Sequence, residues 1–270
     1  IVSGCTNPNT KLVSWIHIEQ HTKELASKSF RSYKEALDCY SKFDRTVCVS
    51  DTVKDDFKSI FDTKKSVEVL YNTNESEKIK KLSDEQVDDV DFSKDTINII
   101  SVAKIVPSKG YDRLMKIHKK LIEKNIKNHI YILGIGEEKE KYEKYLTENN
   151  LTDTFTFLGY RDNPYKYVKK ADLYVCSSRR EGFSTAVTEA LIVGTPVVST
   201  NCSGAYELLG KNNEYGIVTE NNEDALYEGI KKILTTPDLL EAYAAKAKER
   251  GKAFSTEKTV KAVEEMLLSI

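Results

Sequence analysis

The chain has 270 residues, with 41 basic and 42 acidic side chains and a formal net charge of −1. This balance argues against a protein that is drawn to nucleic acid or to a membrane by its overall charge. There is no apolar run of about 18 residues or more, so the sequence predicts neither a transmembrane helix nor a signal peptide. The five cysteines are odd in number and lack CxxC spacing, which favours a reducing, cytoplasmic setting over a disulfide framework.

The first 92 residues alternate short strand-like and helical segments. Apolar or alternating runs predict strands at 12–17, 45–50 and 66–71. An amphipathic segment over roughly 29–40 and a capped start at Asp51 predict helices. Residues 75–94 are polar and acidic, which predicts a linker. Because Ile1 opens what resembles an element already under way, we expect a fragment whose N-terminal part is absent.

Beyond residue 96 the sequence pattern becomes regular. Runs of strand length recur at 97–105, 129–133, 155–158, 173–176, 196–199 and 216–218. The clearest helix lies between the first two runs and carries Leu114, Ile117, His118, Leu121 and Ile122 on one face. Further helices are predicted at 137–148, 164–170, 187–193, 225–234 and 256–268. Alternating strands and helices predict a doubly wound α/β domain, whose ligands bind beyond the carboxyl ends of parallel strands.

Two short motifs are better explained without a ligand. After the turn at 133–136, Lys139 stands where a dinucleotide fingerprint needs its third glycine. Glu137 and Glu138, just before that lysine, would repel a pyrophosphate. We therefore interpret it as a tight turn into a charge-capped helix. Asp89 and Asp91 form a DxD pair, but they lie in the predicted linker with no strand leading to a pocket. We interpret them as solvated charges rather than metal ligands.

The stretch 177–191 carries the strongest candidate site. It joins the predicted strand 173–176 to a helix of small residues, with Glu181 in the loop and Glu189 two helical turns further on. Backbone N–H groups at such a helix start suit an anion or a sugar phosphate. Glu189 lies among apolar residues, where a carboxylate needs a hydroxyl or N–H partner such as a ribose diol. Glu181, beside Gly182, is placed to accept hydrogen bonds from a sugar.

Two lysines and a histidine are further candidates. Lys104 ends the strand-like run, and Lys109 precedes the next helix, so both would face residues 184–187 across neighbouring strands. Together they would clamp a diphosphate by charge; the alternative is two surface lysines among many. His17 closes the first predicted strand, and a lone histidine is more often a packing or capping residue than a ligand. Its place at a strand's carboxyl end keeps it as a site candidate.

These residues resemble the retaining GT-B glycosyltransferases of family 4, the group 1 transferases. The signature is the pair Glu181 and Glu189 with seven residues between them, followed by Ala190-Leu191 and by Gly194-Thr195-Pro196-Val197-Val198. Weaker matches are Lys109-Gly110, Asn72 after Val69-Leu70-Tyr71, Val49-Ser50 and Trp15-Ile16-His17. The resemblance spans nearly the whole chain.

The resemblance implies two Rossmann-like, doubly wound parallel-sheet domains that face each other across a cleft. Residues 1–92 would be an incomplete acceptor-side domain with its linker, and residues 93–254 the nucleotide-sugar domain. Residues 255–270 would be a helix that crosses back to the N-terminal domain. The donor would be a UDP-sugar or GDP-sugar, bound with neither metal nor other cofactor.

For the nucleotide, the resemblance implies five residues. Lys104 and Lys109 would bind the diphosphate, with Val187 beside it at the helix start. Glu189 would bind the ribose hydroxyls, and Arg161 belongs to a loop that lies against the base. One departure is that Lys104 stands where the family usually has arginine, so the bidentate fork that grips a phosphate is lost.

For the transferred sugar, Glu181 and the backbone N–H groups near Phe183, Ser184 and Thr185 would hold the donor, and His17 would reach over from the N-terminal domain. Glu181, Lys104, Lys109 and His17 are therefore the residues implied in catalysis. Because no second carboxylate is placed to form a covalent intermediate, a same-side displacement with retained configuration is expected.

The acceptor implied by the resemblance is a glycan or a lipid-linked sugar in cell-surface polysaccharide assembly. The protein would then meet it at the inner face of the membrane, through a peripheral contact. The N-terminal domain of the family begins with a Gly-rich loop and further strands, so the fragment is expected to be inactive alone. Two other interpretations stay open: a GT-B epimerase or phosphorylase, and a non-catalytic GT-B subunit that regulates a transferase.

Overall fold

A three-stranded parallel sheet forms the N-terminal part of the computed structural model, which describes residues 2–63 and 65–270. Its strands are β1 (Val13–Ile16), β2 (Arg45–Cys48) and β3 (Ser66–Val69), paired in that order. The helices of this part are α1 (Lys23–Ala26), α2 (Tyr33–Tyr40), α3 (Asp51–Ile60) and α4 (Ser76–Ser83), and a short 3₁₀ turn covers Val2–Gly4.

A six-stranded parallel sheet forms the C-terminal part. The strands are β4 (Ile97–Val102), β5 (Asn128–Leu133), β6 (Phe155–Gly159), β7 (Leu173–Cys176), β8 (Val197–Thr200) and β9 (Ile217–Thr219). Their order across the sheet is β6-β5-β4-β7-β8-β9. The order therefore reverses between β4 and β7, where the following loops diverge and leave a crevice.

Eight helices and two 3₁₀ turns follow or separate these strands in the described part of the chain. The helices are α5 (Tyr111–Glu123), α6 (Lys139–Glu148), α7 (Tyr165–Lys170), α8 (Thr185–Val193), α9 (Ala205–Leu209), α10 (Glu223–Thr235), α11 (Leu239–Gly251) and α12 (Thr256–Leu268). The 3₁₀ turns are Pro107–Lys109 and Lys252–Phe254. None of the helices in the described ranges is long and apolar enough to cross a bilayer.

The central strands are rich in apolar residues because helices cover both faces of the sheet. Every residue of β7 and of β8 is buried, as expected for parallel strands between two helical layers. On one face α5 turns Leu114, Ile117 and Leu121 into the core. The α/β fold predicted from the alternation of strands and helices is confirmed, and so are the two Rossmann-like parallel sheets that the resemblance implied.

The segment predicted as a linker contains a helix instead. α4 packs against α7 and α8 and buries Ser76, Ile79 and Ser83 on one face. The prediction was wrong because this face is small and polar apart from one isoleucine, so the sequence shows little hydrophobic periodicity. The segment is thus joined to the C-terminal sheet by packing rather than left in solvent.

The last helix runs back toward the N-terminal part of the chain. The Thr256 hydroxyl at its start donates to the carbonyl oxygen of Asn74 at 2.6 Å. At its other end, the Arg45 guanidinium of β2 donates to the Ser269 hydroxyl at 3.5 Å. The division into residues 1–92, 93–254 and 255–270 stays a prediction, but these contacts agree with the path expected of the third segment.

Candidate functional site

Two adjoining cavities lie at the carboxyl ends of β4 and β7, where the strand order reverses. The first, of about 300 Å³, is lined by residues that include Lys104, Lys109 and Glu181. The second, of about 460 Å³, is lined among others by Gly134, Arg161 and Tyr165. Both cavities share Val102, Ala103 and Lys104, so they form one groove along the sheet edge.

An ion pair stands in the first cavity. Lys109 Nζ lies 2.6 Å from Glu181 Oε1, and the two side chains are 24% and 15% exposed. The Ser178 hydroxyl donates to the same carboxylate oxygen at 2.5 Å. The sequence predicted these two residues as separate contacts, for a diphosphate and for a sugar. The structure shows that they also hold each other in place.

Gly110 explains why a glycine follows Lys109. Its φ is +70°, and an added Cβ would collide with the carbonyl oxygen of Ser177. The backbone can therefore turn sharply after the 3₁₀ turn and bring Lys109 against the loop that carries Glu181. The Ser177 hydroxyl then donates to the Lys109 carbonyl at 2.8 Å and fixes this approach.

The start of α8 faces the same cavity. Ser184 is its N-cap, and its hydroxyl accepts a hydrogen bond from the Val187 N–H at 3.3 Å. The N–H groups of Thr185 and Ala186 find no acceptor among residues 2–63 and 65–270, so they remain free to bind an anion. Phe183, Ser184 and Thr185 line the cavity, and their part in holding a donor sugar stays a prediction.

Val187 is placed less favourably for the predicted role beside a phosphate. Its side chain is buried, and its N–H is already bound by the N-cap hydroxyl. The neighbouring N–H groups of Thr185 and Ala186 are the better anion donors. Lys104 is exposed at the rim, and no ion pair to it occurs within the described part of the chain, so its charge is available to a ligand.

Glu189 lies on α8, half buried beside Tyr165 of the second cavity. Burial raises the pKa of Glu189 to about 7, and the Tyr165 side chain offsets part of this rise. No cation pairs with it anywhere in the described ranges. A neutral or poorly partnered carboxyl at this position is suited to a ligand that supplies hydroxyl donors.

Arg161 lines the second cavity, and its guanidinium is also bound by an acidic side chain outside that cavity. Its guanidinium donates to Asp89 through Nε at 3.1 Å, and the Tyr167 hydroxyl donates to the same carboxylate at 2.8 Å. Both interactions lower the pKa of Asp89, and the hydrogen bond from Tyr167 has the larger effect. Asp89 is partly exposed, yet it is not the isolated solvated charge that the sequence suggested, because it anchors the loop after β6.

His17 lies where the two parts of the chain meet. It is exposed at the end of β1, and its carbonyl oxygen touches the backbone of Gly182, where an added Cβ would collide with it. Phe183, one residue on, stacks on Tyr71 with a centroid distance of 4.9 Å. The loop of Glu181 thus contacts both domains, and His17 stands beside it.

Sequence reasoning gave no role to Ser178, Tyr165 or Arg113, which all contact the predicted residues or their loop. Ser178 and Tyr165 offered no signal, because hydroxyl side chains are common in loops. Arg113 did offer one: it lies one helical turn before Ile117 on the inner face of α5, where a charged residue is unexpected. The described residues contain no group of three or more His, Cys, Asp or Glu side chains that could hold a metal ion.

Comparison with known sequences finds one family and several relatives. The profile of the family described as "Glycosyl transferases group 1" matches residues 83–250, more than half of the chain. The chain is 31% identical over 257 residues to the N-acetylgalactosamine-N,N'-diacetylbacillosaminyl-diphospho-undecaprenol 4-alpha-N-acetylgalactosaminyltransferase of Campylobacter jejuni, with 94% of the chain and 65% of that protein covered. It is 28% identical over 151 residues to the poly(ribitol-phosphate) alpha-N-acetylglucosaminyltransferase of Staphylococcus aureus, with 55% of the chain and 30% of that protein covered.

Comparison with solved structures finds the same fold. The Anabaena Alr3699/HepE structure in complex with UDP matches with a TM-score of 0.80 at 18% identity, covering 96% of this chain and 72% of that one. The sucrose-phosphate synthase of Thermosynechococcus elongatus matches with a TM-score of 0.79 at 18% identity, covering 97% and 68%. These matches confirm the GT-B fold predicted from the sequence.

Proposed function

Because the chain belongs to the group 1 glycosyltransferases, we propose that the protein transfers a sugar from a nucleoside-diphosphate sugar to an acceptor hydroxyl, with retained anomeric configuration and without metal. The observation that carries the proposal is the Lys109–Glu181 pair at 2.6 Å, facing the free N–H groups at the start of α8. A cation and helix N–H groups suit a diphosphate, while the adjacent carboxylate suits sugar hydroxyls. This combination also agrees with family 4 of these transferases.

The groove offers a separate place for each part of such a donor: the diphosphate, the ribose and the base. The diphosphate would lie between Lys104, Lys109 and the N–H groups of Thr185 and Ala186. The ribose hydroxyls would donate to Glu189, which has no cationic partner in the described ranges. The base would enter the larger cavity, lined by Gly134 and by Arg161.

The charges of these groups favour breaking the bond between sugar and diphosphate. Negative charge grows on the departing diphosphate, and the lysines and the start of α8 stabilise it. Positive charge grows on the sugar, and Glu181 stabilises it from the side of the domain interface where His17 lies. Within the described part of the chain, Glu181 is the one carboxylate that lines the first cavity, so the acceptor would attack from the face that the diphosphate leaves.

The acceptor we propose is a glycan or a lipid-linked sugar, met at the inner face of the membrane in the cytoplasm. The Campylobacter relative is named for a diphospho-undecaprenol substrate, and the Staphylococcus relative for a poly(ribitol-phosphate) substrate. One name contains a diphospho-undecaprenol and the other a poly(ribitol-phosphate), which supports a lipid-linked or polymeric acceptor.

Nucleoside diphosphates should stabilise the protein in the presence of EDTA. At about 100 times its dissociation constant, a ligand adds roughly 2.7 kcal/mol to the free energy of unfolding, which raises Tm by several degrees in a protein of this size. Thermal denaturation with UDP, GDP and ADP, each with EDTA or with Mg²⁺, checks this. UMP is the control, because it lacks the second phosphate. If none of the diphosphates shifts Tm, the proposal fails, and a shift that needs Mg²⁺ contradicts metal independence.

A further inference from the structure

A buried arginine lies behind the Glu181 loop. Arg113 is 5% exposed, and its guanidinium donates through Nε to the Ser177 carbonyl at 2.8 Å and through Nη2 to the Ser178 carbonyl at 2.6 Å. Nη2 also donates to the amide oxygen of Asn221 at 2.9 Å. No carboxylate lies within ion-pair distance of Arg113 in the described part of the chain.

This arrangement is costly, since a buried cation without an ion partner loses its hydration. Packing alone does not explain it, because an apolar side chain of similar volume would fill the same space between α5 and the sheet. What an arginine adds is a rigid planar fork that fixes several acceptors at defined directions.

Both carbonyls that Arg113 binds belong to residues that hold the ion pair in the groove. The Ser178 hydroxyl donates to Glu181 at 2.5 Å, and the Ser177 hydroxyl donates to the Lys109 carbonyl at 2.8 Å. The Ser178 carbonyl also accepts from the Thr200 hydroxyl at 2.6 Å. A continuous set of hydrogen bonds thus runs from Arg113 through the two serines to Lys109 and Glu181.

We propose that Arg113 is a positioning residue, which fixes the backbone of Ser177 and Ser178 so that Glu181 presents its carboxylate to the sugar of the donor. This inference rests on the proposed function. It assigns Arg113 no contact with the donor, and it makes Ser178 the link between the arginine and Glu181.

The test is to compare the binding of nucleotide sugars with that of the nucleotide alone. Arg113→Met and Ser178→Ala should each raise the ratio of the dissociation constants for UDP-sugar and UDP about tenfold, because a charge-assisted hydrogen bond to the sugar is weakened or misdirected. Arg113→Lys should give a smaller rise, since an ammonium keeps the charge but not the fork. UDP-glucose, UDP-N-acetylglucosamine and UDP-N-acetylgalactosamine are measured by calorimetry, and the tightest binder is used for all variants.

The control is Arg250→Met. Arg250 also donates to backbone carbonyls, among them that of Leu208 at 3.0 Å, but it lies outside the groove. Its loss should lower stability and leave the ratio unchanged. An unchanged ratio in Arg113→Met, with UDP-sugar and UDP weakened equally, would mean a structural role only and overturn the inference. If the wild type binds no nucleotide at all, the proposed function itself has failed.

The double variant that combines Arg113→Met with Ser178→Ala gives a second readout when both single variants fold. Since both act on the same set of hydrogen bonds, the double variant should change the ratio about as much as the larger single change. Additive changes would show that Arg113 does not act through Ser178.

Discussion

Replacing Glu189 with glutamine should lower the affinity for a nucleoside diphosphate at pH 8 by about 100-fold, since hydrogen bonds to a charged acceptor contribute roughly 1.5–3 kcal/mol. The ribose hydroxyls would be the donors, and a neutral amide accepts them less strongly and directs its own N–H groups at them. Isothermal titration with UDP and GDP measures the loss. Glu148→Gln on α6 is a matched control, because that glutamate is largely exposed and its one ion-pair partner among the described residues is Lys144.

The same affinity should depend on pH in the wild type. Burial raises the pKa of Glu189 to about 7, and hydroxyl donors favour its ionised form, so a bound nucleotide would lower that pKa again. Binding therefore releases a proton below pH 7, and the affinity falls by up to about tenfold for each pH unit below that value. Glu189→Gln should abolish this pH dependence. Equal affinities of wild type and variant at pH 8 would exclude Glu189 from the site.

Glu189→Gln should also stabilise the protein in the absence of nucleotide. The folded pKa of about 7 lies above the ordinary value of 4.5, so the folded state favours the protonated carboxyl. The stability from that preference is complete below about pH 4.5 and is lost as the pH rises through 7. A neutral glutamine avoids this loss. The free energy of unfolding of the variant should therefore exceed that of the wild type by about 1–3 kcal/mol at pH 8 and equal it at pH 4. Denaturant unfolding at the two pH values measures the difference.

Replacing Lys109 with methionine should lower the rate of sugar transfer by about 10²–10³-fold, the effect typical of removing one group that stabilises charge in a transition state. The cation would act on the departing diphosphate, so kcat should fall more than the affinity for the donor. Release of UDP from UDP-sugar, with water or a glycan as acceptor, provides the rate, compared with a wild-type preparation that turns over under the same conditions. Lys116→Met is the control, because Lys116 lies on the surface of α5 and, in the part of the chain that the structure describes, pairs with Glu223 alone, at 3.6 Å.

From the ion pair we predict how the loss of activity in Lys109→Met combines with the loss in Glu181→Gln. Lys109 and Glu181 are in contact and only partly exposed, so removing either leaves the other without its partner. The double variant should therefore lose little more activity than the worse single variant, as residues that act as a unit do. Losses that multiply would show that the two side chains act independently, and a fully active Lys109→Met would contradict the proposed mechanism.

The sequence predicted the strands well because their signal is local. β7 is apolar throughout and β8 begins with two valines, and burial between two helical layers favours such runs in a parallel sheet. The same holds for α5, where the apolar residues of the inner face recur with the period of a helix. The pair Glu181 and Glu189 could be found for a similar reason, since both lie on one strand-to-helix connection.

The features that the sequence did not reveal depend on distant partners. α4 packs against α7 and α8 through Ile79 and small polar residues. Asp89 is fixed by Arg161, which is 72 positions away in the sequence. α11 was missed because its contact with α8 uses small residues: Gly251 lies so close to the Leu191 carbonyl that an added Cβ would collide with it. Hydrophobic periodicity does not report such contacts.

A crystal structure with UDP, grown in the presence of EDTA, tests the proposed donor site most directly. The proposal predicts that the ribose hydroxyls lie about 3 Å from the Glu189 carboxylate, with the diphosphate between Lys104, Lys109 and the start of α8. The base would fill the cavity beside Gly134. UDP bound outside this groove, or placed with its ribose away from Glu189, would contradict it.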